Sequence, residues 1–403
     1  MKQLSENNKI KWIRLIPLKP FSINKSIIFS FTCNFVLLFL LLFDTGLIKE
    51  AKALSIKENI LIDDTTNWIP VNSGVFTVNG LWWFKENAGS YYRLPERARK
   101  IAQLNPRALT YSEYPAGGRV RFKTNSSTLS VRIDHGGDPF NWKELSIMAM
   151  AGIELYEGKP EQMIFRGITR PESGRGPYIF NFSTGSDKKI REYSLYLPMY
   201  SKLKVLELKL DQNARIEPPS PFVLPRPVVF YGSSFIQGGC ASRPSMNLPA
   251  IVGRKLGVDI INLGFAGDGT YEPEMAGLMA EIDAACFIIG PILNDTMLTQ
   301  KNYFQFVSNL RKQRPDCPIL LMTRLQTLGQ TEPFAVNTLV RNIYEKMRKS
   351  GDKKVYYFDS FVLYQDGSIH PTAEGLHPSD LGFTIIADSL TPLLAKILDI
   401  SAK

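Results

Sequence analysis

The chain has 403 residues, 44% hydrophobic and 21% charged, the composition of an ordinary globular protein long enough for two cores. Its net charge of +10 is split: residues 1–53 hold eight Lys/Arg against three Asp/Glu, and the remaining residues contribute only another +5. The body is therefore mildly basic, with no Lys/Arg run or basic-aromatic stripe, which argues against a nucleic-acid partner. Repeats of fixed period, collagen-like stretches and coiled coils are absent from the sequence.

The first element in chain order reads as a targeting segment. Lys2, Lys9, Lys11, Arg14, Lys19 and Lys25 precede an apolar stretch from Ile27 to Phe43, and Ala51-Lys52-Ala53 offers a small-x-small cleavage site. A cleaved signal peptide is expected, with an N-terminal membrane anchor through residues 27–43 as the alternative. Either reading exports the body, because the basic flank stays inside. Beyond Cys33, the cysteines are Cys240, Cys286 and Cys317, an odd number at no metal-ligand spacing. They read as small buried side chains with at most one disulfide, and Cys286, in an apolar run, reads as core.

Residues 58–216 are expected to be mostly β. Arg119–Lys123 and Leu129–Ile133 alternate apolar and polar side chains like half-buried strands, with a turn at residues 124–128 between them. Tyr193–Leu197 and Val205–Leu210 read as further strands. Short strands separated by Gly/Pro/Asn-rich turns imply a β-sandwich or jelly roll. The Pro-rich segment 217–227 reads as a stiff linker.

From residue 228 to 400 the rhythm changes. Apolar runs at Val228–Tyr231, Asp259–Leu263, Ala285–Ile289, Pro318–Met322 and Val355–Phe358 alternate with helix-like segments near 246–257, 271–283, 300–314, 334–350 and 380–397. That alternation predicts an α/β fold with a flavodoxin-like, doubly wound, parallel five-stranded sheet. Sites in such sheets lie beyond the carboxyl ends of the strands.

Candidate chemistry collects at those ends. The first run leads into Tyr231-Gly-Ser-Ser-Phe235, a strand-to-helix turn that can present a serine near helix amides. The second leads into Asn262-Leu-Gly-Phe-Ala-Gly-Asp-Gly269, whose glycines permit close backbone approach. The third leads to Asn294, which either aims its amide at the same spot or caps a helix. Three histidines exist, His135, His370 and His377. Glu374 stands three residues before His377, as a carboxylate that orients an imidazole base would. His370 is the rival base, and Asp366 the rival carboxylate.

In the order Ser, Gly, Asn, His, these blocks resemble the SGNH (GDSL-like) hydrolase superfamily over about residues 228–397. Ser replaces the usual Asp at 233, and Glu replaces the usual Asp at 374. The resemblance implies a serine esterase with Ser234 as nucleophile and His377 as base. Glu374 would orient that base, while Ser234 N–H, Gly267 N–H and the Asn294 side chain hold the oxyanion. Tyr91–Arg97, Tyr193–Tyr200 and Gly238–Pro244 are similar to a bacterial group with an N-terminal jelly-roll domain. The resemblance implies no metal and no organic cofactor. It points to an O-acetyl esterase acting on an acylated carbohydrate, or a lipid or short-chain ester. Alternatives are an O-acetyltransferase on an exopolysaccharide and a non-catalytic glycan-binding surface protein. Arg243 is a candidate substrate contact or a surface ion pair, and Trp82 and Trp83 a sugar platform or core.

Overall fold

The computed structural model describes residues 67–137, 141–171, 176–292, 297–364 and 370–401. The targeting segment, Asn294 and Asp366 lie outside the described residues. All the described residues belong to one compact unit, Asp63–Lys403.

The first part is a β-sandwich. Among the described residues its strands are β1 (Ile69–Pro70), β2 (Thr77–Asn79), β3 (Arg119–Thr124), β4 (Thr128–Asp134), β5 (Glu154–Glu157), β6 (Ile164–Ile168), β7 (Tyr178–Ser183), β8 (Arg191–Tyr196), β9 (Val205–Leu210) and β10 (Ile216–Glu217). One antiparallel sheet runs β1-β9-β4-β7; the other runs β10-β3-β8-β5-β6, with β2 also on β3. Leu129, Val131 and Ile133 of β4 and Leu206, Leu208 and Leu210 of β9 meet Val120, Phe122, Leu155, Tyr193 and Leu195 of the other sheet in one core. Strands β3 and β4 do not pair with each other, so residues 125–127 form a crossover between sheets. Asp211 holds that crossover, accepting from the backbone N–H and the hydroxyl of Ser127 at 2.6 Å each.

One strand departs from its alternating pattern. The polar positions of β3 should face water, yet Arg119 and Arg121 are buried. The second part of the chain covers Arg119, and the linker before it covers Arg121. Arg119 pairs with Asp259 and donates to Ile260 O at 3.1 Å, while Arg121 pairs with Glu192 at 2.8 Å and sits over the Phe222 ring.

That second part is built on β11 (Val228–Gly232), β12 (Ile260–Gly264), β13 (Cys286–Ile289), β14 (Ile319–Met322) and β15 (Val355–Phe358). They form a wholly parallel sheet of order β12-β11-β13-β14-β15, the flavodoxin-like arrangement. Nearly every strand residue is buried because helices cover both faces. Those helices follow α1 (Pro106–Tyr111) and α2 (Ile147–Ala151) of the sandwich: α3 (Ser234–Gln237), α4 (Leu248–Leu256), α5 (Pro273–Ala280), α6 (Met297–Gln313), α7 (Ala335–Lys349) and α8 (Asp380–Leu398). Cys286 is buried in the sheet, and Cys240, Cys286 and Cys317 are free thiols.

The two parts are clamped by a buried ion pair. Glu154 of β5 is wholly buried and receives Arg243 Nη1 at 2.6 Å, together with the backbone N–H and hydroxyl of Ser245. Arg243 also donates to Tyr156 Oη at 3.0 Å and lies over the Phe165 ring. Of the two expectations for Arg243, the ion pair is present, with a buried partner. Its guanidinium is engaged in holding the loop after α3 onto the sandwich, because a buried carboxylate needs a counter-cation. Arg243→Met should destabilise the protein by about 3 kcal/mol by leaving Glu154 unpaired, and adding Glu154→Gln should restore much of the loss. Urea unfolding of the single and double variants checks this; an unchanged midpoint in the single variant contradicts it.

Candidate active site

Strand β11 delivers the serine. Its last residue, Gly232, is followed by Ser233 in extended conformation as N-cap, and Ser234 opens α3. The helix is one turn long and ends at Gly238, whose φ of +115° reverses the chain. Amides of a first helical turn have no intrahelical acceptor, so the N–H of Ser234 is available at the strand end. A side chain at Gly269 would strike Gly232 O at 2.2 Å, and one at Gly264 would strike Gln237 N at 2.1 Å. Glycine is therefore required where the β11 and β12 loops pack backbone to backbone.

Side chains then fix the second loop. Gln237 is buried; it donates to Met199 O at 2.8 Å and accepts from Ala266 N–H at 2.8 Å. Asn262 donates to Ile236 O at 2.8 Å and accepts from Gly264 N–H at 2.9 Å. Arg93 reaches in from the sandwich and donates to the carbonyls of Tyr114, Asn262, Gly264 and Tyr111. Beyond these anchors, Gly267 sits in a short 3-10 turn, Ala266–Asp268, and open space lies where its side chain would be.

The C-terminal loop supplies the base. A bridge between Thr372 and Pro378 and the bond from Ala373 N–H to His377 O (2.9 Å) close a tight loop just before α8. His377 Nε2 lies 2.9 Å from Ser234 Oγ, across 143 residues of sequence. Its Nδ1 makes a short hydrogen bond to Glu374 Oε1, and its backbone N–H donates to the same carboxylate at 3.1 Å. Glu374 thus reaches the imidazole in place of the shorter Asp. Burial raises the Glu374 pKa, but the bonds from the His377 ring and backbone outweigh it and hold the carboxyl below its usual range. Serine, imidazole and carboxylate form one hydrogen-bonded chain.

Of the other candidates, His370 Nδ1 is engaged locally with Thr372 Oγ1 at 2.6 Å. His135 is buried in the sandwich against Lys202 O at 2.8 Å. Trp83 is core, with Nε1 3.2 Å from Glu281, whereas Trp82 is exposed. Asn294 has no described position.

Two residues beside the dyad have a place at the site that the sequence does not assign them. A side chain at Gly239 would meet His377 Cδ2 at 2.9 Å and Ser234 Cβ at 3.2 Å, so only glycine lets the ring approach the hydroxyl. Cys240 has a left-handed backbone (φ +64°), and its Sγ lies 3.9 Å from Glu374 Oε2. Burial, then the charges of Glu374 and Glu144, push its thiol pKa up to about 12, so it does not compete with Ser234 as a nucleophile.

A Ser–His–carboxylate chain at the carboxyl ends of a flavodoxin-like sheet defines the class as a serine hydrolase of the α/β type. Residues 225–395 match the GDSL-like Lipase/Acylhydrolase family, and residues 66–216 match the family described as the N-terminus of SGNH-hydrolase-type esterases. The chain belongs to these GDSL-like SGNH hydrolases, and the protein is an ester hydrolase. The short name of the second family, GxDLY, fits Gly152-Ile-Glu-Leu-Tyr156 with the clamp residue Glu154 in the acidic place.

A protein of Bacteroides ovatus ATCC 8483, named as a GDSL-like lipase, is similar at TM-score 0.71 and 28% identity, over 83% of this chain and 99% of that one. The salicylyl-acyltransferase SsfX3 from a tetracycline biosynthetic pathway shares the fold at TM-score 0.64 and 19% identity, over 85% and 100% of the two chains. A family two carbohydrate esterase from Clostridium thermocellum, solved with cellohexaose, shares it at TM-score 0.52 and 16% identity, over 70% and 93%. No curated protein matches the chain.

Two outcomes follow. Gly239→Ala should cut kcat at least about tenfold with the fold intact by circular dichroism, because the new methyl group parts His377 from Ser234; undiminished kcat contradicts the packing. The lowered Glu374 pKa adds stability that is full above the ordinary carboxylate range and is lost as pH falls through the folded value. The stability gap between wild type and Glu374→Gln should therefore hold steady near neutrality and close in acid, as read by denaturant titrations; a gap that widens on acidification is the contrary result.

Proposed function

We propose that this protein is an exported O-acetyl esterase that removes acyl groups from a carbohydrate by two-step acyl transfer. The observation that carries the reading is the chain Ser234 Oγ–His377 Nε2, His377 Nδ1–Glu374. His377 accepts the Ser234 proton as the hydroxyl attacks the ester carbonyl, and Glu374 stabilises the imidazolium that results. The N–H groups of Ser234 and Gly267, with the Asn294 side chain, hold the oxyanion. His377 then protonates the leaving alcohol, and water releases the acid from Ser234 by the same path in reverse.

The sandwich supplies the argument for a sugar. Tyr111 and Trp142 are half-buried, and their ring centroids lie 5.5 Å apart. Arg107 bridges from Tyr111 Oη (2.9 Å) to Asp268 (3.3 Å), the residue after Gly267. Trp142 stands two residues before Glu144, whose carbonyl touches Cys240 Sγ at 3.8 Å. This aromatic pair, tied through Arg107 to the Gly267 turn and through residues 142–144 to Cys240, suits pyranose stacking. The fold shared with a carbohydrate esterase solved with cellohexaose supports the same reading. Export rests on the basic flank and the apolar stretch Ile27–Phe43.

The test is a panel of acetylated glycans beside an aryl acetate. Wild type should deacetylate members of both groups, and Ser234→Ala should lose at least about a thousandfold on every one. Trp142→Ala should raise KM for the glycans alone. Activity that survives Ser234→Ala contradicts the mechanism; equal effects of Trp142→Ala on both substrate groups contradict the sugar.

A further inference from the structure

Cys240, Glu374 and His377 do more than adjoin one another. One ligand atom from each, a thiol sulfur, a carboxylate oxygen and a ring nitrogen, lies within 4.8 Å of the other two. Among the described residues this is the one such group of three metal-ligating side chains. The group is reachable from solvent, since the Glu374 side chain is 41% exposed and Cys240 is half-buried. The loop geometry brings the sulfur there: Gly238 and Cys240 both adopt left-handed backbone, and Gly239 leaves room for the imidazole beside them.

We propose that Cys240, Glu374 and His377 form an inhibitory binding site for Zn²⁺ or another thiolate-preferring divalent cation. Sulfur, nitrogen and oxygen donors in one cluster suit zinc, which binds three protein ligands and water in a tetrahedron; Mg²⁺ and Ca²⁺ require oxygen shells. Zinc–ligand distances are about 2.0–2.3 Å, so the Cys240 sulfur needs to draw in while His377 Nδ1 and the Glu374 carboxylate, now hydrogen-bonded, part to admit the ion.

Occupation would stop catalysis through the imidazole. In the metal-free enzyme the Nδ1 proton bonds Glu374, and Nε2 offers its lone pair to the Ser234 hydroxyl. A cation on Nδ1 displaces that proton, and the neutral ring then carries its one proton on Nε2. The thiol releases its own proton to water as the sulfur–metal bond forms, so binding frees one proton in all. An Nε2–H group donates to Ser234 Oγ and cannot deprotonate it. The cation would thus act as an off-switch, distinct from a cofactor. The inhibitory consequence rests on the hydrolase reading above; the binding itself does not.

The experiment has two arms on the chelator-treated full chain. In the first, aryl acetate hydrolysis is titrated with ZnCl₂, with MgCl₂ as control, in wild type, Cys240→Ser and Cys240→Ala. Each variant is compared with its own metal-free rate. Wild type should lose at least tenfold and recover with EDTA, while both variants should need at least tenfold more zinc and magnesium should do nothing. In the second arm, CoCl₂ replaces zinc, and the near-ultraviolet thiolate-to-cobalt charge-transfer band is followed. The band should appear in wild type and vanish in both variants. No band in wild type, or zinc inhibition undiminished in the Cys240 variants, overturns the proposal. Should wild type lack esterase activity, the cobalt arm still decides the binding, and the failure then belongs to the functional reading.

Discussion

The contact on which the account depends is the 2.9 Å hydrogen bond between Ser234 Oγ and His377 Nε2. It joins the first strand of the parallel sheet to the loop before the last helix, residues that have no local reason to meet. Everything around it serves to make two loop ends rigid enough for that distance to hold. Gly264 and Gly269 let the β11 and β12 loops touch backbone to backbone, and Gly239 clears the space for the ring. Ser242 donates its backbone N–H to Asp380 at 2.8 Å, tying the loop after the serine to the first turn of α8.

The sandwich is part of that rigidity. Arg93 spends its guanidinium on backbone carbonyls at the β12 end, which is a costly use of a buried cation unless it fixes something. Burial lowers its pKa to about 9, a measure of how dry the site is. Gln237, Arg119 and the Glu154–Arg243 clamp likewise run between the sandwich and the α/β part. The β part therefore acts as a brace for the strand-end loops.

Much of this was legible in the sequence, for identifiable reasons. The five parallel strands were readable because buried strands are continuous apolar runs, and α4 to α8 because helical spacing separates them. The dyad was readable because histidines are few and Glu374 precedes His377 at a fixed interval. Strand β5 resists a period-two reading because both faces are covered: Leu155 lies in the sandwich core, and Tyr156 clusters with Tyr196 and Ala250 on the other side. The true partner of Arg243, Glu154, lies 89 residues away, a pairing that no local pattern encodes. Gly239 and Cys240 matter through what stands next to them in space. The motif Gly152–Tyr156 is a local signal of the clamp, but it carries Glu154 without its partner.

The most direct test of the central contact is covalent labelling of the full chain with a fluorophosphonate, read by peptide mass spectrometry. Ser234 should carry the adduct in wild type, and His377→Ala should slow its formation by at least about a hundredfold. An adduct elsewhere, or labelling of Ser234 that is indifferent to His377, would contradict the account.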